Sequence, residues 1–322
     1  MHILVTGGAG FIGSHLANFL KSKGCFVRVA DIRPRVECYL PLEIDEYMQC
    51  DLRKLQSAVD ASRDMDWVFQ LSADMGGMGY LHEFHAKIMR NNALININVA
   101  DAAKLVGVKR IFFSSSACVY PEFRQKTLAA RPLKESHAIP AAPDLMYGWE
   151  KLFSEFLYLS YAQDYGIDVR IARFHNSYGP ATEYKNGREK APAALCRKVA
   201  ETQNGGSITV WGDGKAKRSF LYIDDCVEGI WRLMNSNYNK PLNLGTDESI
   251  SIDDLAKLII KTSGKHLSIK HDRSKPEGVR ARNANLTLMK KTLRWKPKTS
   301  LKAGIPKLYR WVEQQVAPLQ AV

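Results

Sequence analysis

The chain has 322 residues, 45% hydrophobic and 25% charged, with 46 Lys and Arg against 33 Asp and Glu for a formal net charge of +13. These are ordinary globular values, enough for a core, and no apolar run approaches the ~20 residues a membrane span needs, so a soluble, cytoplasmic protein is expected. The charge suits anionic partners; with no helix-turn-helix, RNP-type or arginine-rich tract, phosphate-bearing small molecules account for it better than nucleic acid does. Six scattered cysteines (Cys25, Cys38, Cys50, Cys118, Cys196, Cys226) form no C-x-x-C pair, so neither a zinc site nor a disulfide framework is expected.

"MHILVTGGAGFIGSHLANFLKSKGCFVRVAD" reads as strand, glycine turn, helix and strand: Ile3-Leu4-Val5 opens it, Phe11, Ile12, Leu16, Phe19 and Leu20 recur at helical spacing, and "CFVRVA" resumes the β pattern. Strands follow at "WVFQLSA" and "KRIFFSSS", separated by a helix in "NNALININVADAAKLVG" that stops at Gly107. A helix over 148–165 leads into the strand "DVRIARF". Alternating strands and helices predict an α/β fold with a doubly wound parallel sheet of the Rossmann type. After about Gly179 the chain turns polar, "SITVWG" is a short strand, "RSFLYIDDCVEGIWRLM" returns to a helix, and short helices follow from about Ser249. Residues 1–178, joined by about 219–247, are read as a dinucleotide-binding domain, and 179–218 with 248–322 as a smaller, interleaved α/β lobe.

Gly7-x-x-Gly10-x-x-Gly13 lies between the first strand and helix, where glycines permit a tight turn and close approach of backbone to a pyrophosphate at a helix N-terminus. Asp31 ends the second strand and would accept hydrogen bonds from the adenosine ribose, favouring NAD over NADP; Arg33 is the counter-argument. Asp51 could reach the adenine or simply cap a helix. Tyr147 and Lys151 form Y-x-x-x-K, which places both on one helix face, where an ammonium would lower the phenol's pKa. His82 and His85 lie three apart with no third ligand in sight, so no metal site is expected. His175 reads as a hydrogen-bonded structural histidine, and the stripe Phe153, Phe156, Leu157, Tyr161 as core or a dimer face.

Taken together, the glycine motif, the serine-rich strand end, Y-x-x-x-K, "RFHNSYGP", "WGDG…RSFLYIDD" and "PEGVR" resemble the extended short-chain dehydrogenase/reductase superfamily, across essentially the whole chain. "SADMGGMGY", "SSSACVYP" and "GREKAPAALCRK" further resemble the GDP-mannose 3,5-epimerase family. That resemblance implies bound NAD and conversion of GDP-D-mannose to GDP-L-galactose, with GDP-L-gulose as the singly inverted product. It assigns Tyr147 as acid/base with Lys151 its partner, Ser116 to orient the C4 oxygen, Cys118 as the base at C5 and C3, and Lys190 as the opposing acid. Cofactor binding would fall to Gly7, Gly10, Phe11, Ile12, Gly13, Asp31, Arg33, Asp51, Leu52 and Ala73, with Tyr147 and Lys151. Gly76, Gly77 and Met78 would wall the sugar, where larger side chains would clash with it. Asn176 would contact the hexose or its phosphate, Arg218 and Arg280 would clamp the diphosphate, and Lys198 and Ala191 complete the substrate set. A homodimer is expected. The alternatives are an NADPH-consuming epimerase/reductase of the GDP-fucose synthase type, against which Asp31 argues, and a non-catalytic Rossmann nucleotide binder, against which Ser116, Tyr147 and Lys151 argue.

Overall fold

Strands rich in Val, Ile, Leu and Phe that are apolar on both faces can be buried only beneath helices on both sides, which parallel sheets provide. The computed structural model describes residues 1–275 and 277–317. Pro276 of the "PEGVR" block and residues 318–322 of the expected smaller lobe lie outside them. The first half of the chain contains β1 (His2–Thr6), α1 (Phe11–Ser22), β2 (Phe26–Asp31), β3 (Glu46–Gln49), α2 (Leu55–Ser62), β4 (Trp67–Gln70), α3 (Met78–Glu83), α4 (His85–Val106), β5 (Arg110–Ser116) and α5 (Met146–Tyr165). There follow β6 (Asp168–Phe174), β7 (Asn176–Tyr178), α6 (Ala191–Glu201), β8 (Ser207–Trp211), β9 (Lys217–Tyr222), α7 (Ile223–Met234), β10 (Pro241–Leu244), β11 (Ser249–Ser251), α8 (Ile252–Ser263), β12 (Ser268–Asp272), β13 (Ala281–Arg282), α9 (Thr287–Leu293) and α10 (Leu301–Val316).

Seven parallel strands form the main sheet in the order β10-β6-β5-β4-β1-β2-β3. The order reverses between β1 and β4, and the crevice at the carboxyl ends of the strands there is where such sheets bind ligands. One face packs Leu4, Val68, Ile111 and Phe113 against α2, α4 and α5. The other packs Ile3, Val5, Phe69 and Phe112 in a core that continues without a break into Leu195, Ile230, Leu255 and Val312 of the later elements. Those elements build a second sheet, β11-β9-β13 with β7 also on β9, and a ribbon of β8 and β12.

The region after Ser249, expected to be helical, also carries β11, β12 and β13. The reason is visible in β12, whose burial pattern is largely exposed, leaving no apolar alternation to betray a strand. α5 begins at Met146, two residues earlier than expected, and both α4 and α5 end on left-handed glycines, Gly107 and Gly166. His82 and His85 fall on different helices, α3 and α4. Phe153 and Phe156 are 44% and 54% exposed, so this part of the aromatic stripe is not core; Leu157 and Tyr161 are partly buried. Among the described residues no helix is long and apolar enough to cross a membrane.

Beneath the site the main sheet holds a buried ion pair. Arg173 donates from Nε and Nη2 to Glu155 at 2.9 and 2.7 Å, and from Nη1 to the Glu135 carbonyl at 2.7 Å. Removing one partner strands the other charge without water, so Glu155→Ala should lower the unfolding free energy by about 3–5 kcal/mol in a denaturant titration.

Candidate active site

The glycine turn sits at the reversal point of the main sheet. Gly7 adopts φ +67°, and a side chain at Gly13 would run into the Gly7 carbonyl, so helix and turn can approach this closely only with glycine at both places. Gly10 is the N-cap of α1 and supplies no side-chain cap, which leaves first-turn N–H groups for an anion. This cradle fits a dinucleotide pyrophosphate. Asp31 is buried and fixed: one oxygen accepts from Ala9 N at 2.9 Å and the other from Arg33 N at 3.0 Å. The Arg33 guanidinium stacks on Tyr39 at 4.9 Å, and Tyr39 OH donates to Glu183 at 2.6 Å. Asp51 is not a helix cap. Lys54 occupies the N-cap of α2, and Asp51 instead pairs with Arg53 at 2.7 Å, which holds its carboxyl below the usual range. Phe11 and Ile12 open α1, Leu52 is buried in the core, and Ala73 lies in the loop after β4.

β5 ends at Ser116, whose hydroxyl accepts from Cys118 N at 3.1 Å and so nucleates the short turn that carries the cysteine. Any side chain at position 148 would collide with the Cys118 carbonyl, so Gly148 lets α5 press against that turn. α5 thereby sets Tyr147 and Lys151 beside Ser116 and Cys118; both side chains are almost fully buried. Lys151 Nζ donates to the Ser114 carbonyl at 2.9 Å and lies 5.7 Å from the Tyr147 ring centroid. The expected depression of the phenol is not what results. Burial dominates and pushes Tyr147 well up, Cys118 and Glu150 add to it, and the Ser116 hydroxyl opposes it. Burial likewise pushes the Lys151 ammonium down, against the pull of Glu150, Cys118 and Glu155. In both groups burial opposes the charged form, and the neighbouring Ser116 hydroxyl for Tyr147 and carboxylates for Lys151 work against that effect.

Lys190 is the N-cap of α6, ahead of Ala191, and burial lowers its pKa against the opposing influence of Cys118 and Cys226. Its loop is clamped to residues 74–80, the loop and first turn of α3. Gly77 N donates to the Arg188 carbonyl at 3.0 Å, and Arg188 donates to the Met75 carbonyl at 3.2 Å and to Asp74 at 3.4 Å. The Arg188 guanidinium also lies 3.9 Å from the Tyr80 ring centroid, and Tyr80 OH donates to Asp74 at 2.6 Å. A Cβ at Gly77 would come within 2.5 Å of the Glu189 carbonyl oxygen, and one at Gly76 within 2.9 Å of Tyr80. Gly77 is thus required by contact with the Lys190 loop and Gly76 by its own neighbour Tyr80; Met78 packs beside Gly278. Gly77→Ala should push the Lys190 loop outward, and a shift of about 1 Å would lower kcat on the order of 10²-fold with stability little changed, read by steady-state kinetics beside thermal melts.

The cations sort differently from expectation. Arg218 donates to the carbonyls of Lys217 at 2.8 Å and Val279 at 2.6 Å, and among the described residues no carboxylate pairs with it. Burial, with Arg282 and Arg280 nearby, brings its pKa down to about 10. That is a cation suited to an incoming phosphate. Arg280 is instead committed to Asp213 at 2.8 Å and Glu277 at 2.6 Å, and Lys198 donates to the Thr209 carbonyl at 2.6 Å. Asn176 donates to the Ser219 carbonyl at 3.4 Å. His175 is buried and neutral, its pKa pushed down to about 3 by burial, and sits 3.3 Å from Asn243 Oδ1 as a structural histidine. The sequence reading missed Arg282 and Asp144. Arg282 donates to Cys118 Sγ at 3.1 Å and to Asp144 at 3.2 Å.

Residues 3–245 match the model of the NAD dependent epimerase/dehydratase family. The chain is 44% identical over 316 residues to the GDP-mannose 3,5-epimerase of Arabidopsis thaliana, covering 98% of this chain and 83% of that one. Among solved structures it resembles a UDP-glucuronic acid 4-epimerase from Bacillus cereus in complex with UDP-glucuronic acid and NAD, with a TM-score of 0.85, 26% identity and coverage of 98% and 100%. A UDP-glucose 4-epimerase with UDP-glucose from Thermotoga maritima gives a TM-score of 0.86 at 25% identity, with the same coverage. On the strength of the cradle, the Tyr147–Lys151 helix and these likenesses, the chain belongs to the NAD dependent epimerase/dehydratase family.

Proposed function

We propose that this isomerase is a GDP-mannose 3,5-epimerase, converting GDP-D-mannose to GDP-L-galactose with GDP-L-gulose as the singly inverted product. The observation that carries the reading is Cys118 on the turn beside Ser116 and the Tyr147 helix, with Lys190 at the N-cap of α6. A thiol there has no purpose in simple C4 chemistry. The 44% identity to a relative of that name supports it.

The Gly7–Gly13 cradle and Asp31 would hold NAD, which when bound would supply the hydride acceptor and donor at C4. Tyr147 takes the C4 hydroxyl proton while Ser116 holds the oxygen. With a ketone at C4, the C5–H and C3–H bonds become acidic, because the electron pair left behind enters the carbonyl. Cys118 sulfur takes such a proton, the C–H bond breaks, and the oxygen becomes an enolate. Lys190 then gives a proton to the same carbon from the opposite face, and the carbonyl re-forms. Exchange with solvent resets thiol and amine for the second centre. Arg218 binds the diphosphate as a guanidinium fork. Residues 179–218 and those from 248 on form the nucleotide-sugar lobe, two chains pair through the face that carries Phe153, Phe156, Leu157 and Tyr161, and the six free cysteines suit a reducing cytoplasm. Incubation with GDP-mannose in deuterated water should place deuterium at both C5 and C3 with no net redox; label at neither carbon refutes the assignment.

A further inference from the structure

We propose that Arg282 is the positioning residue that aims the Cys118 sulfur and supports its negative charge when it acts as the base, so that Lys190 is left free to act as the acid. This rests on the reading of Cys118 as the base. Four other titratable side chains feel the sulfur electrostatically: Tyr147, Lys151, Lys190 and Arg218. Lys151 spends its contact on the Ser114 carbonyl, and Arg218 spends its own on the carbonyls of Lys217 and Val279. Among the described residues, Arg282 is the cation within hydrogen-bond distance of the thiol, at 3.1 Å.

The guanidinium is held on each of its nitrogens. Nε donates to Gln125 Oε1 at 2.6 Å and Nη2 to Asp144 at 3.2 Å, leaving Nη1 for the sulfur. Gln125 is itself buried and pinned: its amide donates to the carbonyls of Tyr120 and Pro121, both at 3.1 Å, and its own carbonyl accepts from Arg280 N at 3.0 Å and Ala281 N at 3.2 Å. The segment that carries Arg282 is therefore stapled to the loop that follows Cys118. Arg282 and Asp144 are only 10% and 12% exposed, so solvent screens the contact weakly.

The arrangement divides two tasks that one lysine would perform badly. A base needs a permanent counter-charge, and an acid must lose its proton in the same turnover. A guanidinium never gives up its proton, so it stabilises the thiolate throughout, while Lys190 cycles.

The test compares Arg282→Gln and Arg282→Lys with the wild-type full chain holding NAD, following iodoacetamide alkylation of each cysteine by peptide mass analysis at neutral pH. An opposite charge at contact distance favours the ionised form by about tenfold or more, so Arg282→Gln should slow alkylation at Cys118 by about that factor, with deuterium entry falling in parallel. Cys38 and Cys50 should react at wild-type rates, and Arg282→Lys should recover part of the loss. A purely structural role would loosen the fold and speed alkylation generally. Unchanged or faster alkylation of Cys118 in Arg282→Gln overturns the proposal. If Cys118→Ala still exchanged deuterium, the base assignment would fall, while slowed alkylation in Arg282→Gln would still stand.

Discussion

Cys118→Ala should retain NAD and GDP-mannose and lose 10²–10⁴-fold or so in epimerisation, the span that a positioned acid or base supplies. The substitution removes one sulfur from a partly buried turn whose shape comes from elsewhere: the Ser116 hydroxyl accepts from the backbone N–H of residue 118, and Gly148 packs against its carbonyl. Neither contact needs the thiol. Tyr147, Ser116 and Lys151 stay in place, so chemistry at C4 continues and the defect is confined to C5 and C3. The measurement is deuterium content at each carbon beside the amount of bound cofactor. Loss of cofactor together with label would mean that the turn had collapsed, and the Cys118→Ser variant, nearly the same size, then distinguishes shape from basicity.

The second large effect is expected at Lys190. Replacing it with arginine preserves the positive charge at the start of α6 but removes a proton that can be given away, so a loss on the order of 10²–10⁴-fold is expected even though the electrostatics are kept. The pH profile supplies the sign. Delivery requires the ammonium form, and burial, reinforced by the positive end of α6, lowers the pKa of Lys190. Wild-type activity should therefore fall as pH rises through that lowered value, below where an ordinary lysine would titrate. Near-wild-type turnover by Lys190→Arg would show that this position acts through charge alone.

The main sheet was legible because its signal is local and repetitive: continuous apolar strands alternate with amphipathic helices, and left-handed glycines mark the ends. Tyr147 and Lys151 were legible for the same reason, since four residues on a helix is one face. Arg282 was not, because its meaning comes from Cys118, 164 residues away in the chain. β12 escaped because exposed strands lack the alternation by which strands are recognised. Gly76 and Gly77 show a second demand for smallness that sequence does not display: an added side chain would meet Tyr80 or the Glu189 carbonyl. The Tyr147 phenol went the other way from expectation because burial, invisible in sequence, dominates, and Cys118 and Glu150 add to it.

The placement of β10 bears on how the molecule is made. Pro241–Leu244 forms the outer edge of the main sheet beside β6, and Asn243 there accepts from Tyr120 OH at 2.6 Å and donates to the Leu133 carbonyl at 2.8 Å. During synthesis β6 must wait, its outer edge bare, while β7, α6, β8, β9 and α7 emerge from the ribosome. Pairings between distant segments form slowly, and an unpaired strand invites association with other nascent chains. A messenger truncated before Leu244 would yield a sticky product, whereas one cut inside α10 would leave every strand of the main sheet matched.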